Sequence, residues 1–203
     1  MTTRRLFVAV PLDEPAFRAV TGIVERIRAD REGAAPNERD VRWVRMDGLH
    51  LTLRFLGPTP EGDVRAVAEA ARRAADGHDA FEIGIAGGGA FPNPHRPRAL
   101  WLGVTRGTEE LASLAAALDR ELVAAGWPAN ERPFRAHLTV ARSDGIPAGA
   151  DVARRLAEAA ADLDQRSAAD RVVLFESITG RGPARYETLE TVPLRLRPSS
   201  PAQ

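Results

Sequence analysis

His50-Leu51-Thr52-Leu53 and His137-Leu138-Thr139-Val140 stand 87 residues apart, and the reading of these two stretches decides the rest. In an extended chain residues i and i+2 face the same side. Each tetrapeptide therefore presents a histidine and a threonine together and sends Leu51 and Leu53, or Leu138 and Val140, the other way into a core. Each also sits in the middle of the same order of elements. Upstream of His50, Leu6 to Val10 reads as a buried strand. Asp13 with Pro15 behind it starts a helix running to about Ala29, because a capping carboxylate and a first-turn proline both suit a helix start. Phe17, Val20, Ile23, Val24 and Ile27 recur at spacings of three and four along it. A polar loop follows from Arg31 to Arg39, then strands over Val41 to Val44 and Leu49 to Leu56, closed by Gly57-Pro58-Thr59-Pro60. A helix over Glu61 to Ala75 and a strand over Phe81 to Ala86 complete the first half.

After the glycine- and proline-rich segment Gly87 to Pro97 the order resumes. Ala99 to Val104 is a strand, and Thr108 caps a helix with Glu109 and Glu110 in its first turn and Gly126 past its end. A strand over Ala136 to Ala141, a helix over Asp151 to Leu163, and strands over Arg171 to Ile178 and Tyr186 to Leu194 finish the chain. The first helices of the two halves begin 95 residues apart, so the halves align with small loop differences. This pattern reads as an internal duplication with a pseudo-two-fold axis rather than a solenoid. It predicts one domain over residues 1–203 built of two lobes, roughly 1–97 and 98–203, with room for strand exchange between them.

Composition narrows the chemistry. The 203 residues carry 28 basic and 28 acidic side chains, so the formal net charge is zero, and 44% of residues are hydrophobic. These values suit a single soluble domain. No cysteine is present, which excludes disulfides, a thiol nucleophile and cysteine-ligated metals. Every basic residue is arginine, so a phosphate site must use arginine forks, hydroxyls or backbone N–H groups. Zero net charge disfavours long tracking along nucleic acid, whereas a small phosphate-bearing end or nucleotide fits it. No apolar run reaches the ~20 residues that cross a bilayer, and the N-terminal apolar run is too short for a signal sequence. The expected location is the cytoplasm.

Two imidazoles and two hydroxyls lining one cleft are a layout for acid–base chemistry. An imidazole titrates near neutrality, so one neutral and one protonated ring can act on opposite sides of a single centre. Phosphorus suits this well: in-line displacement needs an activated nucleophile, a protonated leaving oxygen, and donors to the non-bridging oxygens, the last a role for Thr52 and Thr139. The competing structural reading makes each His-x-Thr a strand with a satisfied core histidine, but equivalent places in a repeat argue against it. A zinc site needs a third ligand, and no Asp or Glu of the right parity lies near either histidine, so neither metal nor cofactor is expected. His78 reads as a solvent-facing turn residue. Gly87 to Gly89 lacks the pattern of a nucleotide-phosphate loop.

His50 to Gly57 preceded by Arg42-Trp43-Val44, and Phe134 to Arg142, resemble the paired H-x-T-x motifs of the 2H phosphoesterases. More narrowly the chain is similar to bacterial RNA 2′,3′-cyclic phosphodiesterases, also called 2′-5′ RNA ligases. Arg5 to Val10, Gly87 to Pro92 with Arg96 to Trp101, and Phe175-Glu176-Ser177 to Tyr186 extend the likeness over nearly the whole chain. The resemblance implies an α+β, bilobal, duplicated fold, with two antiparallel sheets, helices outside, and the two motifs facing across a central cleft. It also implies metal-independent opening of a 2′,3′-cyclic phosphate to a 2′-phosphomonoester. His50 would then protonate the departing O3′, His137 would activate water, and Thr52 and Thr139 would hold the phosphoryl oxygens. The reverse reaction would join a 5′-hydroxyl in a 2′-5′ linkage.

Strand parity places Arg54 on the His50 face and Arg135 on the His137 face, both as candidate phosphate ligands. Arg142 has the opposite parity, but the family often has arginine there. Phe134 is a candidate for stacking a terminal base, and His95, where the family tends to have arginine, is a candidate for the cleft border. The expected partners are RNA ends or small cyclic nucleotides, with no membrane, no obligate protein partner and a monomeric chain. Two other functions stay open: an RNA-end binding module without turnover, and the same chemistry on another small cyclic phosphate or on 2′-5′ oligonucleotides.

Overall fold

Leu6 to Val10 are five consecutive buried residues because β1 (Thr3–Pro11) lies inside a sheet, between β3 (His50–Pro60) and β8 (Arg171–Gly180). Leu6, Val8 and Val10 join the core beneath the helices, while Phe7 and Ala9 are covered on the opposite face. The computed structural model describes residues 2–30, 41–143, 146–180 and 182–196, so the loop expected from Arg31 to Arg39 lies outside the described residues. The remaining strands are β2 (Val41–Trp43), β4 (Phe81–Phe91), β5 (Ala99–Arg106), β6 (His137–Ser143), β7 (Gln165–Ala169) and β9 (Gly182–Pro193). Their order is β7-β4-β5-β6-β3-β1-β8-β9, with β2 on β6, and neighbouring strands run antiparallel.

The two expected sheets are joined. The only register pair between β3 and β6 is Leu51 with Leu138, so two arms meet at one point, one of four strands and one of four with the short β2 added on β6. Each arm draws on both halves of the chain. The arm β3-β1-β8-β9 is covered by α2 (Val64–Asp76) and α3 (Thr108–Ala124), which pack on each other. The arm β6-β5-β4-β7 is covered by α1 (Glu14–Ala29) and α4 (Ile146–Ala159). Asp13 caps α1 as its sequence suggests, accepting from the Ala16 N–H at 3.0 Å, and its second oxygen accepts from Ala168 N–H at 2.8 Å, fastening the helix start to β7.

Several boundaries differ from the sequence reading, each for a local reason. β3 runs through Gly57-Pro58-Thr59-Pro60 instead of ending there. Beyond the junction it pairs only with β1, and Pro58 and Pro60 share a parity, so their missing donors both fall on the open side. β4 continues through the triple glycine to Phe91. A Cβ on Gly88 would lie 2.8 Å from the Leu156 carbonyl oxygen of α4, and one on Gly89 would lie 2.6 Å from the Trp101 ring. Those glycines let a helix and an indole press onto the strand. Thr108 is the first residue of α3 rather than its cap; the cap is Gly107, at φ +71°. α4 begins at Ile146, earlier than expected, with Pro147 in its first turn. β7 has a polar, alanine-rich sequence that gives no strand signal and is held by pairing with β4.

Candidate active site

The junction pair sets the geometry of the motifs. Continuing the antiparallel register from Leu51 and Leu138 sets His50 opposite Thr139 and Thr52 opposite His137. Directly opposed residues share a face. Leu51 and Leu138 are buried on the helix side, so both histidines and both threonines stand together on the other face, all partly buried. The arms diverge on either side of this point, which opens the cleft.

Each imidazole is fixed in the same way. His50 Nδ1–H donates to the Gly48 carbonyl at 2.6 Å, and His137 Nδ1–H donates to the Arg135 carbonyl at 2.7 Å. A carbonyl only accepts, so a neutral ring carries its proton on Nδ1 and leaves Nε2 as the base. The surroundings differ. His50 lies against Phe7 (centroids 4.7 Å), Tyr186 (5.2 Å, edge-on) and Phe175 (5.9 Å). Burial there pulls its pKa down to about 4; the Gly48 carbonyl opposes this, and the charge of nearby His137 adds to it. His137 meets the edge of Phe91, centroids 5.0 Å apart.

A cavity of about 440 Å³ opens on His50 and Thr52, lined also by Arg5, Phe7, Phe55, Arg142, Ser177, Ala184 and Tyr186. Arg142 reaches it because β6 bulges. Thr139 pairs with Trp101 but Ala141 with Leu100, so one extra residue restores Arg142 to the histidine face despite its nominal parity. The same device removes Arg54. In β3, Thr52 pairs with Ala9 and Arg54 with Val8, leaving Leu53 as the extra residue. Arg54 therefore shares the helix side with Val8. It is only 9% exposed, donates from Nη2 to the Pro128 carbonyl at 2.6 Å, and lies 3.5 Å from Asp119. This corrects the expectation that it faces phosphate.

Phe55 takes the face that Arg54 loses. It is 52% exposed at the cavity rim, 6.4 Å from Phe7 in a stacked arrangement, with the Arg5 guanidinium 5.4 Å above its ring. Phe55 and Arg142 each stand five residues after their histidine, so aligning the two motifs one against the other was the signal that could have found Phe55. Arg135 is exposed, its guanidinium 5.9 Å over Phe91 beside His137. Phe134 packs against the core and lines a separate recess with Leu53, Arg54 and Asp119, away from both histidines, so the structure does not bring it to the cleft. His95 is exposed in a loop. His78 is not simply solvent-facing: its Nδ1–H donates to the Ala74 carbonyl at 2.8 Å, and its Nε2 accepts from Ser113 Oγ at 3.0 Å, linking α2 to α3. Among the described residues no cluster of three His, Asp or Glu side chains forms a metal site, and no helix is long and apolar enough to cross a membrane.

The model of the 2′-5′ RNA ligase superfamily matches residues 13–181. A Methanothermobacter thermautotrophicus protein named RNA 2′,3′-cyclic phosphodiesterase is 36% identical over 141 residues, 70% of this chain and 72% of that one. A protein of the same name from Aeropyrum pernix is 31% identical over 173 residues, 84% of this chain and 96% of that one. Among solved structures, E. coli LigT complexed with 3′-AMP superposes with a TM-score of 0.68 at 29% identity, covering 95% of this chain and 99% of that one.

Proposed function

The chain belongs to the 2′-5′ RNA ligase superfamily, and we propose on that premise that it hydrolyses the 2′,3′-cyclic phosphate at RNA ends to a 2′-phosphomonoester. The observation that carries this reading is the junction register, which sets two His/Thr pairs on one face around a single point. Water held by His137 Nε2 attacks phosphorus and gives its proton to that nitrogen. The P–O3′ bond breaks, His50 protonates the departing O3′, and phosphate remains on O2′. Thr52 and Thr139 donate to the non-bridging oxygens, where charge builds in the transition state. Arg142 adds a fixed positive charge at the rim, and Arg135 stands ready beside His137.

The depressed pKa of His50 bears on its role as the acid. The free ring is neutral at neutral pH. An anionic phosphodiester entering between the imidazoles favours the charged form, so the proton is taken up with the substrate. Once charged, the ring is placed to give that proton to the alkoxide leaving group. The relatives named RNA 2′,3′-cyclic phosphodiesterase support the substrate class. A 5′-hydroxyl in place of water would run the same steps towards a 2′-5′ linkage. The same reading takes the protein as a cytoplasmic monomer acting on RNA ends or small cyclic nucleotides.

The test is to treat the protein with EDTA, incubate it with an oligonucleotide ending in a 2′,3′-cyclic phosphate, and locate the phosphate in the product. A 2′-phosphate is expected. A 3′-phosphate would reverse the regiochemistry, and an unchanged end with measurable binding would make this an end-binding module. Turnover of only a bare nucleoside or other small cyclic phosphate would move the substrate.

A further inference from the structure

Tyr186 is placed on β9, near the far end of the chain from His50, yet three contacts bring it to that histidine. Its ring meets the imidazole edge-on, 5.2 Å between centroids at 81°. It meets Phe7 at 5.0 Å and 75°. It also lies directly on Gly48: a Cβ built there would fall 2.5 Å from Tyr186 Cδ2 and 3.1 Å from Cε2. Gly48 ends the 3₁₀ turn Met46–Gly48, and its carbonyl is the acceptor for His50 Nδ1–H. One ring therefore covers the peptide that orients the imidazole and walls the imidazole itself.

We propose that Tyr186 is the positioning residue for His50, its ring clamping the Gly48 turn so that the Gly48 carbonyl holds the imidazole with Nε2 towards the cleft. An imidazole on a single hydrogen bond to a surface turn is only as fixed as the turn. Gly48 is the residue that fits, because any side chain would occupy the space of the ring. The clamp also keeps water from His50, in line with the direction of its titration. The charged and titratable groups facing this corner are His137 and Arg142 from β6 and Arg5 from β1. The phenol is raised above its usual value by burial and drawn partly back by Arg142. The clamp works through the ring carbons rather than the hydroxyl.

This inference rests on the catalytic reading of His50, and a readout free of substrate separates the two. The His50 imidazole is titrated by NMR in the wild type and in the Tyr186→Phe, Tyr186→Ala, Gly48→Ala and Tyr186→Ala/Gly48→Ala variants, alongside kcat and KM on a 2′,3′-cyclic end. Tyr186→Phe is expected to keep both the low His50 titration and kcat. Tyr186→Ala and Gly48→Ala should each move the titration up towards 6.5 and lower kcat ~10-fold or more with little change in KM. The double variant should be no worse than either single one, because both remove the same contact. An unmoved titration in Tyr186→Ala, or additive losses in the double variant, would overturn the clamp. Should the wild type lack cyclic phosphodiesterase activity while the titrations follow this pattern, the clamp stands and the catalytic reading fails.

Discussion

His50 carries two consequences at the scale of a single residue. The first is a pH dependence of stability. An unfolded histidine titrates near 6.5, whereas burial holds native His50 at about 4. Between those values the unfolded chain binds a proton that the native protein refuses. The stabilisation is therefore complete above pH 6.5 and is lost as pH falls towards 4. For a partly buried ring it amounts to about 2–3 kcal/mol. Urea midpoints measured across this window should fall in the wild type and fall less in His50→Gln; equal slopes would show that His50 does not resist protonation. The second consequence concerns its role as the acid. A substrate with sulfur in place of O3′ has a leaving group that needs no proton. It should restore most of the rate lost by His50→Ala and little of that lost by His137→Ala. The reverse pattern would exchange the two roles, which symmetry alone leaves open.

At the scale of elements, the bulges in β3 and β6 decide which arginine meets substrate. Arg54→Met should cost ~1–3 kcal/mol of stability through the lost bond to the Pro128 carbonyl and leave kcat/KM near the wild-type value. Arg142→Ala should leave the melting temperature nearly unchanged and lower kcat/KM ~10-fold or more. Thermal melts and steady-state rates on the two variants check both, and a catalytic loss confined to Arg54→Met would refute the face assignment. The His/Thr pairs were legible because the period of two holds from His50 to Thr52 and from His137 to Thr139. Arg54 and Phe55 are the positions where strand parity and structure part, because a bulge shifts parity without a marker in a single sequence. The prolines of β3 and the glycines of β4 misled for a related reason. They are read as breakers until an open strand side, or a helix pressed on the backbone, gives them a place. β7 was illegible because its strand state comes from pairing with β4 rather than from its own side chains.

For the whole molecule, we propose that the two arms are the copies of a duplication within one domain, the lobes anticipated near residues 1–97 and 98–203. The fourth strand of each half crosses over: β8 pairs in the arm of β1 and β3, and β4 pairs in the arm of β5 and β6. Likewise α1 covers the arm of β5 and β6, and α3 the arm of β1 and β3. Apart from β7 the order of elements is readable in the sequence, but this exchange is not, since non-local pairing leaves no local signal. The exchange binds the arms to each other, while the cleft depends on Leu51 and Leu138. Leu138→Ala should destabilise the protein by ~2–5 kcal/mol. It should also lower kcat in the folded population more than a comparable truncation at Leu156, which is buried in α4 away from the junction. Equal effects on kcat would detach the active site from the junction.

At the cleft, His50 and His137 are proposed to act together on one phosphorus atom. The decisive measurement is the single-turnover rate on an oligonucleotide ending in a 2′,3′-cyclic phosphate, in EDTA, for the wild type, His50→Ala and His137→Ala, with folding of each checked by circular dichroism. The wild type is expected to give a 2′-phosphate product, and each folded variant to lose ~10²- to 10⁴-fold in rate. A folded variant of either histidine that retains the wild-type rate would contradict that joint action.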